Sequence, residues 1–238
     1  MKIRWYGHAS FLITGENGLK VLTDPFDETV GYPSPTVAPD VVTVSHEHFD
    51  HNAVRVVPGN PEVVKGPGEH VVRGITIVGL PTYHDDAHGS RRGENTVFTI
   101  SMDSLRVTHL GDLGHTLSAS QILALRPVNV LLIPVGGYYT IDARQAKEVV
   151  DALNPNIVIP MHYKTEVLDF PIGGVEPFLN LVGGGEYLRS TTLEVTAENL
   201  PAPCRVVVLD YELFPLTESL VGAKVPRVKE NKFLPGGA

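Results

Sequence analysis

Four side chains that bind metals well lie within six consecutive residues of this 238-residue chain: His46, His48, Asp50 and His51. They directly follow a short β-branched run that predicts a buried strand. In a loop leaving a strand, two imidazoles two residues apart can point at one position, and the next carboxylate and imidazole at a second position nearby. Nitrogen and oxygen ligands without thiolate suit Zn²⁺, Mn²⁺, Fe²⁺ or Ni²⁺. The spacing therefore makes two adjacent metal ions a specific hypothesis.

Four residues cannot complete two metal sites, so further ligands must come from elsewhere in the chain. Three candidates follow other apolar runs, each where a strand is predicted to end: His84, Asp112 and His162. Any one of them alone is more often a hydrogen-bonded structural side chain. Together with the cluster at 46–51 they favour a metal centre.

Short strands must position most of these residues. Apolar and β-branched runs predict strands at 2–6, 10–14, 19–23, 41–44, 62–65, 74–78, 95–101, 105–110, 128–133, 157–159 and 204–209. Ser118 and Asp142 are predicted N-caps of helices over 119–125 and 143–153. The Pro-rich stretch from 24 to 40 is predicted to be a loop that walls the site. The pattern indicates an α/β fold with polar clusters at strand ends.

Composition excludes several classes of protein. With 42% hydrophobic residues and a formal charge of −8, the chain is predicted to fold as a globular protein. One cysteine, Cys204, and a start without an apolar leader favour the cytoplasm. An excess of acidic residues without a basic stripe argues against nucleic acid. No apolar run approaches the roughly 18 to 20 residues of a membrane span, so we expect no membrane partner and a small-molecule substrate.

The motif His46-x-His48-x-Asp50-His51 resembles the hallmark of the metallo-β-lactamase superfamily. Asp24 before a proline, Gly111-Asp112 after a predicted strand, and His162 extend the resemblance over roughly residues 1–165. It implies a four-layer αββα sandwich, with one metallo-hydrolase domain over 1–238 and residues 212–238 as a C-terminal extension. The segments 5–10 and 109–112 are most similar to the branch that contains ascorbate-6-phosphate lactonase and N-acyl-phosphatidylethanolamine phospholipase D. Homo-oligomers are common in the superfamily, so self-association is compatible with this interpretation.

The resemblance also implies a role for each candidate ligand. One metal would be held by His46, His48 and His84, the other by Asp50, His51 and His162, with Asp112 bridging the two. His88 is the alternative to His84. Two divalent cations, preferably zinc, with manganese, nickel or iron as alternatives, lower the pKa of a shared water toward about 7. The implied activity is hydrolysis, by a metal-bound hydroxide, of a small anionic ester, lactone or phosphodiester.

Further residues are predicted to support this chemistry. Asp50 and His109 are the candidate catalytic residues, Asp50 because it could orient the nucleophile or carry a proton to the leaving group. Asp24 is predicted to hold the second ring nitrogen of a ligand histidine. Contacts behind the metals or to the substrate are predicted for His8, His115 and Lys164.

Two residue pairs keep alternative interpretations. Arg91 and Arg92 could present cations to an anionic substrate, although a solvated loop is the commoner place for such a pair. Tyr138 and Tyr139 either wall the pocket or fill the core.

Three other functions fit the sequence less well than small-molecule hydrolysis. A nuclease is disfavoured because the chain is short and acidic. Di-iron redox proteins of this fold carry glutamate in place of the second histidine, whereas position 48 is His. A binding module without turnover would have lost a ligand, and the motif is complete. Hydrolysis is the preferred interpretation, with a phosphodiesterase or nuclease-type hydrolase as the alternative.

Overall fold

Two facing β-sheets form the centre of the computed structural model, which describes residues 1–213. The strands are β1 (Lys2–Gly7), β2 (Ser10–Thr14), β3 (Lys20–Thr23), β4 (Val41–Val44), β5 (Glu62–Lys65), β6 (Gly68–Val72), β7 (Ile75–Tyr83), β8 (Glu94–Met102), β9 (Leu105–His109), β10 (Val130–Pro134), β11 (Ile157–Met161), β12 (Glu186–Tyr187), β13 (Thr192–Glu194) and β14 (Arg205–Val208). The α-helices are α1 (Ala119–Leu125), α2 (Ala143–Leu153) and α3 (Glu176–Val182).

Strand direction brings the predicted ligands to one edge. The smaller sheet has the order β13-β1-β2-β3-β4-β5, and β3, β4 and β5 are parallel. The larger sheet has the order β12-β14-β11-β10-β9-β8-β7-β6, and β9, β10 and β11 are parallel. Parallel neighbours end at the same edge of a sheet, so residues that follow β3 and β4 lie close together, as do residues that follow β9 and β11.

Alternation along the strands divides the apolar residues between two clusters. In β1 and β2, Trp5 and Phe11 face the main core, where they pack with Phe98 of the larger sheet. Their neighbour Leu12 faces the outside of the smaller sheet, in a second cluster with Tyr32. Because side chains point alternately to the two faces of a strand, both faces of the smaller sheet are buried. Loops and single-turn 3₁₀ helices at Glu28–Val30 and Val54–Val56 cover its outer face.

The predicted α/β sandwich of two sheets is confirmed, and so are both capped helices at the predicted bounds. The sequence prediction missed β6, β12, β13 and α3. Strands β12 and β13 span two and three residues, too few to show alternation, and β6 is largely exposed on both faces. Local patterns of hydrophobicity report burial, so elements that bury little escape them.

Two sequence predictions remain untested. Residues 214–238, which include nearly all of the predicted extension at 212–238, lie outside the described residues. The assignment of the whole chain to one domain therefore stays a prediction.

Within residues 1–213, no helix has the length and apolar character that a membrane crossing requires.

We predict that Asp142→Ala lowers the free energy of unfolding by about 1 kcal/mol, the usual cost of losing an N-cap. The Asp142 carboxylate accepts a hydrogen bond from the Gln145 backbone N–H at 2.9 Å, and the Gln145 side chain accepts one from the Asp142 N–H at 3.1 Å. Urea unfolding measures the change. Asp151→Ala on the same helix is the control, since its exposed ion pair with Lys147 contributes only about 0.3–0.5 kcal/mol. Equal losses of unfolding free energy in the two variants would contradict the capping role of Asp142.

Candidate metal centre

Seven of the sequence-predicted residues meet at one edge of the two sheets. Potential ligand atoms lie within 4.8 Å of one another in two separate sets, His46, His48 and His84 in the first and His8, Asp50, His51 and His162 in the second; a third group, Asp24, His46 and His51, shares its histidines with these sets. Except for His48, all of these side chains are buried. The chain thus brings nitrogen and oxygen donors from four separate segments into two adjacent sets.

The carboxylate of Asp112 lies between the two sets. Its Oδ2 is 3.1 Å from Nε2 of His84 and 3.3 Å from Nε2 of His162. Its Oδ1 is 3.3 Å from Nε2 of His51. Asp112 is therefore within reach of a ligand from each set, which is the geometry that a bridging carboxylate needs.

The loop that carries Asp112 is held in place by Asn95, which is not among the residues predicted from the sequence. The Asn95 side-chain oxygen accepts a hydrogen bond from the Asp112 N–H at 3.0 Å, and its amide donates to the Leu110 carbonyl at 3.0 Å. Gly111, at φ +55, lies so close that an added Cβ would stand 2.4 Å from Asn95 Oδ1 and 2.7 Å from Ser45 Cβ. Glycine is required there by both conformation and space.

Asp24 orients two of the histidines from behind. Its Oδ2 accepts from Nδ1 of His51 at 2.8 Å and from the Ser45 hydroxyl at 2.5 Å. The Ser45 oxygen in turn lies 2.9 Å from Nδ1 of His46. With their Nδ1 atoms engaged, both imidazoles present Nε2 to the cluster. The role predicted for Asp24 agrees with this geometry, and Ser45, which directly precedes the motif, is a contact that the sequence analysis missed.

Three residues of the centre adopt left-handed backbone conformations that non-glycine residues seldom occupy: His8 at φ +50, Asp24 at +37 and His162 at +50. Hydrogen bonds hold two of them, since the His8 carbonyl accepts from the His162 N–H at 3.1 Å and from the Trp5 indole at 3.1 Å. Such conformations persist where the surrounding structure fixes them, and they concentrate at functional sites.

Burial and mutual attraction set the charges in the centre. Burial lowers the pKa of His46 to about 3 and that of His8 to about 4, so both imidazoles are neutral at pH 7. Burial alone would raise the pKa of Asp112, but His162 and His51 outweigh it and hold that pKa well below its ordinary value. Burial also opposes a charge on His51, yet Asp112 and Asp50 raise its pKa well above the usual range. His51 therefore carries a proton that a bound cation would displace, whereas the neutral imidazoles of His46 and His8 and the ionised carboxylates already favour a cation.

Three of the unpaired polar atoms of the centre fit metal ions. Nε2 of His46, Nε2 of His51 and Oδ1 of Asp112 are all buried and form no hydrogen bond with any of residues 1–213. Buried polar groups are rarely left in this state, because each costs about 1–3 kcal/mol. All three belong to the clustered donors, and a coordinated cation would satisfy them.

A cavity of about 470 Å³ opens onto the centre. Besides His48, Asp50, His84, Asp112 and His162, its lining includes three aromatic residues and two arginines: Phe49, Tyr139, Phe170, Arg91 and Arg92. The volume suits a small organic molecule. The structure separates the alternatives for the two residue pairs. Both arginines line the cavity. Tyr139 also lines it, whereas Tyr138 is 65% exposed and does not.

Three predicted residues lie outside both ligand sets. His109 is fully buried, its Nε2 donates to the Ala9 carbonyl at 2.8 Å, and its Nδ1 accepts from the Gly111 N–H at 3.2 Å. Both ring nitrogens are engaged by the backbone, so the geometry gives the predicted catalytic role of His109 no support.

The other two are His115 and Lys164, and neither belongs to the lining of the cavity. His115 Nε2 accepts from the Tyr83 N–H at 3.2 Å, so its ring braces the end of β7. The Lys164 ammonium donates to the Phe170 carbonyl at 3.1 Å and borders a different cavity beside Tyr211. The predicted contacts of these two residues to ligands or substrate therefore have no support in the geometry.

Comparison with known proteins identifies the family. The β-lactamase superfamily domain matches residues 2–162. A UPF0173 metal-dependent hydrolase of Archaeoglobus fulgidus is 31% identical over 210 residues, which cover 74% of this chain and 87% of the relative. The chain belongs to the metallo-β-lactamase superfamily. A second UPF0173 metal-dependent hydrolase, from Methanoregula boonei, is 33% identical over 191 residues, which cover 69% of this chain and 83% of that relative.

A solved structure agrees with this placement in the superfamily. A Thermotoga maritima protein assigned to the zinc-dependent hydrolases of the metallo-β-lactamase superfamily matches with a TM-score of 0.75 and 42% identity, covering 89% of this chain and 99% of that one. The family prediction made from the motif is confirmed, and the relatives place the protein among the metal-dependent hydrolases of the superfamily.

We predict that Asp24→Asn weakens metal binding by about 10- to 100-fold, the usual effect of removing a contact that orients a ligand. Oδ2 of the carboxylate accepts from His51 and from the Ser45 hydroxyl while Oδ1 accepts from the Ser45 N–H at 2.8 Å, and an amide has an NH₂ group in place of one of these two acceptors. Competition with a chromogenic chelator measures the affinity. Asp169→Asn removes the same charge from an exposed carboxylate and is the control. Equal affinities for Asp24→Asn and the control would contradict the orienting role.

Proposed function

We propose that the protein is a dinuclear metal-dependent hydrolase that activates water for attack on a small, anionic ester, lactone or phosphodiester. The proposal rests on one observation: two sets of ligand atoms, each within 4.8 Å, with the Asp112 carboxylate between them. In the proposed assignment His46, His48 and His84 hold one cation, Asp50, His51 and His162 hold the other, and Asp112 bridges. Zinc is the preferred metal, with manganese, nickel or iron as alternatives.

Two divalent cations bound in this way would lower the pKa of a shared water and polarise the substrate oxygen under attack. The chain's own residues supply orientation. Asp24 and Ser45 hold the imidazoles of His51 and His46, so that their Nε2 atoms keep a fixed direction. Ligands held in this way need no rearrangement during the reaction.

Asp50 is the proposed catalytic carboxylate. Its Oδ2 lies 3.1 Å from Nε2 of His8, and it lines the cavity. Burial alone would raise its pKa, but His51 and His8 outweigh that effect and hold the pKa of Asp50 below its ordinary value. The ionised carboxylate orients the nucleophile and takes up a proton on its way to the leaving group. His8 fixes the direction of that carboxylate through its ring N–H.

The character of the substrate follows from the cavity and from the sequence resemblance. About 470 Å³ accommodates a small molecule, and the guanidinium groups of Arg91 and Arg92 favour an anion. The resemblance of segments 5–10 and 109–112 to the lactonase-like branch supports a lactone or phosphate ester. A nuclease is the weaker alternative, because the acidic composition offers no attraction to a nucleic acid backbone.

The decisive experiment joins elemental analysis of the purified protein to a screen of phosphorylated lactones, phosphodiesters and carboxylic esters. We expect close to two metal ions per chain and turnover of at least one class that chelation removes and added metal restores. One ion per chain with full activity would refute the dinuclear assignment. Activity that survives complete removal of metal would refute the proposed mechanism.

We predict that Asp112→Ala lowers kcat/KM by at least about 10³-fold, because the proposed bridge between the two ligand sets is lost. Steady-state kinetics with metal analysis measure the effect, and circular dichroism checks that the variant folds. Undiminished turnover with two bound ions would contradict the bridging role.

We predict that His84→Ala lowers the metal content from two ions per chain to one. His84 supplies one of the three imidazoles of the first set, and the cation would keep only His46, His48 and the shared Asp112, which bind it more weakly. His88→Ala is a matched control on the same loop, since His88 lies beside the Tyr83 ring and outside both ligand sets. Elemental analysis after gel filtration distinguishes them. If His84→Ala kept the second ion, His84 would not be a ligand. If His88→Ala lost it, His88 would be the ligand instead.

A further inference from the structure

The loop that carries Arg91 and Arg92 at the cavity is held by hydrogen bonds to one buried carboxylate, that of Asp85. Oδ1 of Asp85 accepts hydrogen bonds from the backbone N–H groups of Ala87 and Gly89, and Oδ2 accepts from those of Arg91 and Arg92, all at 2.8–3.0 Å. The Asp85 side chain points to its own loop and belongs to neither ligand set. One side chain therefore fixes where both arginines leave the backbone.

The two arginines differ in their other contacts. The Arg91 guanidinium donates to the exposed carboxylate of Asp86 at 3.0 Å. The Arg92 guanidinium lies over the ring of Tyr139, with Cζ 5.4 Å from the ring centroid. No carboxylate of residues 1–213 forms an ion pair with Arg92. A guanidinium stacked on an aromatic ring keeps its N–H donors available at the ring edge, so Arg92 is prepared to bind an anion.

Aromatic side chains continue the wall from Tyr139. The ring of Phe170 lies 6.2 Å from that of Tyr139, and the ring of Phe49 lies 6.4 Å from that of Phe170. Phe49 is 59% exposed, although it stands between two candidate ligands in the sequence. Large apolar side chains exposed at a cavity are typical of a surface that contacts an apolar ligand. The cavity therefore joins metal-binding groups, a cation and an apolar surface.

We propose that Arg92, positioned by Asp85, is the specificity-determining residue for an ester or lactone that carries a separate anionic group and an apolar, ring-sized body. Arg92 binds the anionic group, Phe49 and Phe170 contact the apolar body, and the scissile bond lies at the histidine cluster. The inference rests on the proposed hydrolase function for its catalytic part only. Asp85 is a positioning residue, because it acts through the loop and touches no substrate.

Kinetics with two matched esters test the role of Arg92. In 4-acetoxybenzoate the body carries a carboxylate, and in methyl 4-acetoxybenzoate the same body is neutral. We expect Arg92→Gln to raise KM for the charged ester about tenfold, which is about 1.4 kcal/mol, with kcat and the neutral ester changed less than about twofold. Arg144→Gln, an exposed substitution on α2 with the same change in charge, is the control. Equal effects on both esters would overturn the proposal.

The same pair of esters tests Asp85. Asp85→Asn removes acceptors of the backbone hydrogen bonds, so we expect it to raise KM for the charged ester selectively, as Arg92→Gln does. The double variant should lose little more than either single variant, because both act through the same guanidinium. A purely structural Asp85 would instead lower kcat for both esters, and that result would overturn its positioning role. Asp151→Asn is the control for the lost charge.

Binding provides a test that does not depend on turnover. NMR titrations of the metal-loaded protein compare benzenesulfonate with methyl phenyl sulfone, which has the same shape without the charge. We expect the sulfonate to bind about tenfold more tightly, and Arg92→Gln to abolish the difference. If the difference survives in the variant, or the wild type shows none, the proposal fails. If the sulfonate binds through Arg92 but no ester is hydrolysed, the proposed function is refuted while Arg92 remains an anion-binding residue.

Discussion

A buried, ionised carboxylate is the constraint on which this structure depends. Asp112 is removed from water, and within 3.8 Å of its oxygens lie the Nε2 atoms of His46, His51, His84 and His162. A charge in such a place is costly unless positive groups and hydrogen-bond donors surround it. The imidazoles face the carboxylate, while Asn95 and Gly111 fix the loop that carries it. Their arrangement leaves several buried ligand atoms without a hydrogen-bond partner among residues 1–213.

The strands place the candidate ligands at one edge of the sheets, and contacts in the loops set the directions of their side chains. Parallel strands of both sheets end at one edge, so residues far apart in the chain arrive at the same place. Direction then depends on local contacts: Asp24 and Ser45 aim two imidazoles, and His8 and His162 are tied through their backbones in left-handed conformations. Such detailed support is expected where ligand geometry must hold to within about 0.5 Å.

The candidate metal ligands and the residues proposed to contact the substrate lie in different parts of the cavity. The clustered histidines and aspartates carry the resemblance to metal-dependent hydrolases. The walls, with Phe49, Phe170 and the loop around Asp85, belong to connections outside the strands. A shared fold hosts many activities because substrate contacts change in the loops while the ligand set is kept. The wall residues are therefore the place to look for the identity of the substrate.

The sequence by itself determined what is encoded locally: the motif at 46–51, the strands that precede the ligands, and the two capped helices. Only the tertiary structure decided which way the other side chains point. His109 and Lys164 stand beside candidate ligands in the sequence, yet their polar atoms bind backbone groups elsewhere. No local pattern marks Asn95 as a site residue, because its partner Asp112 lies 17 positions away in the sequence. Spacing along a chain reports backbone geometry over a few residues, whereas side-chain direction depends on partners that only folding brings together.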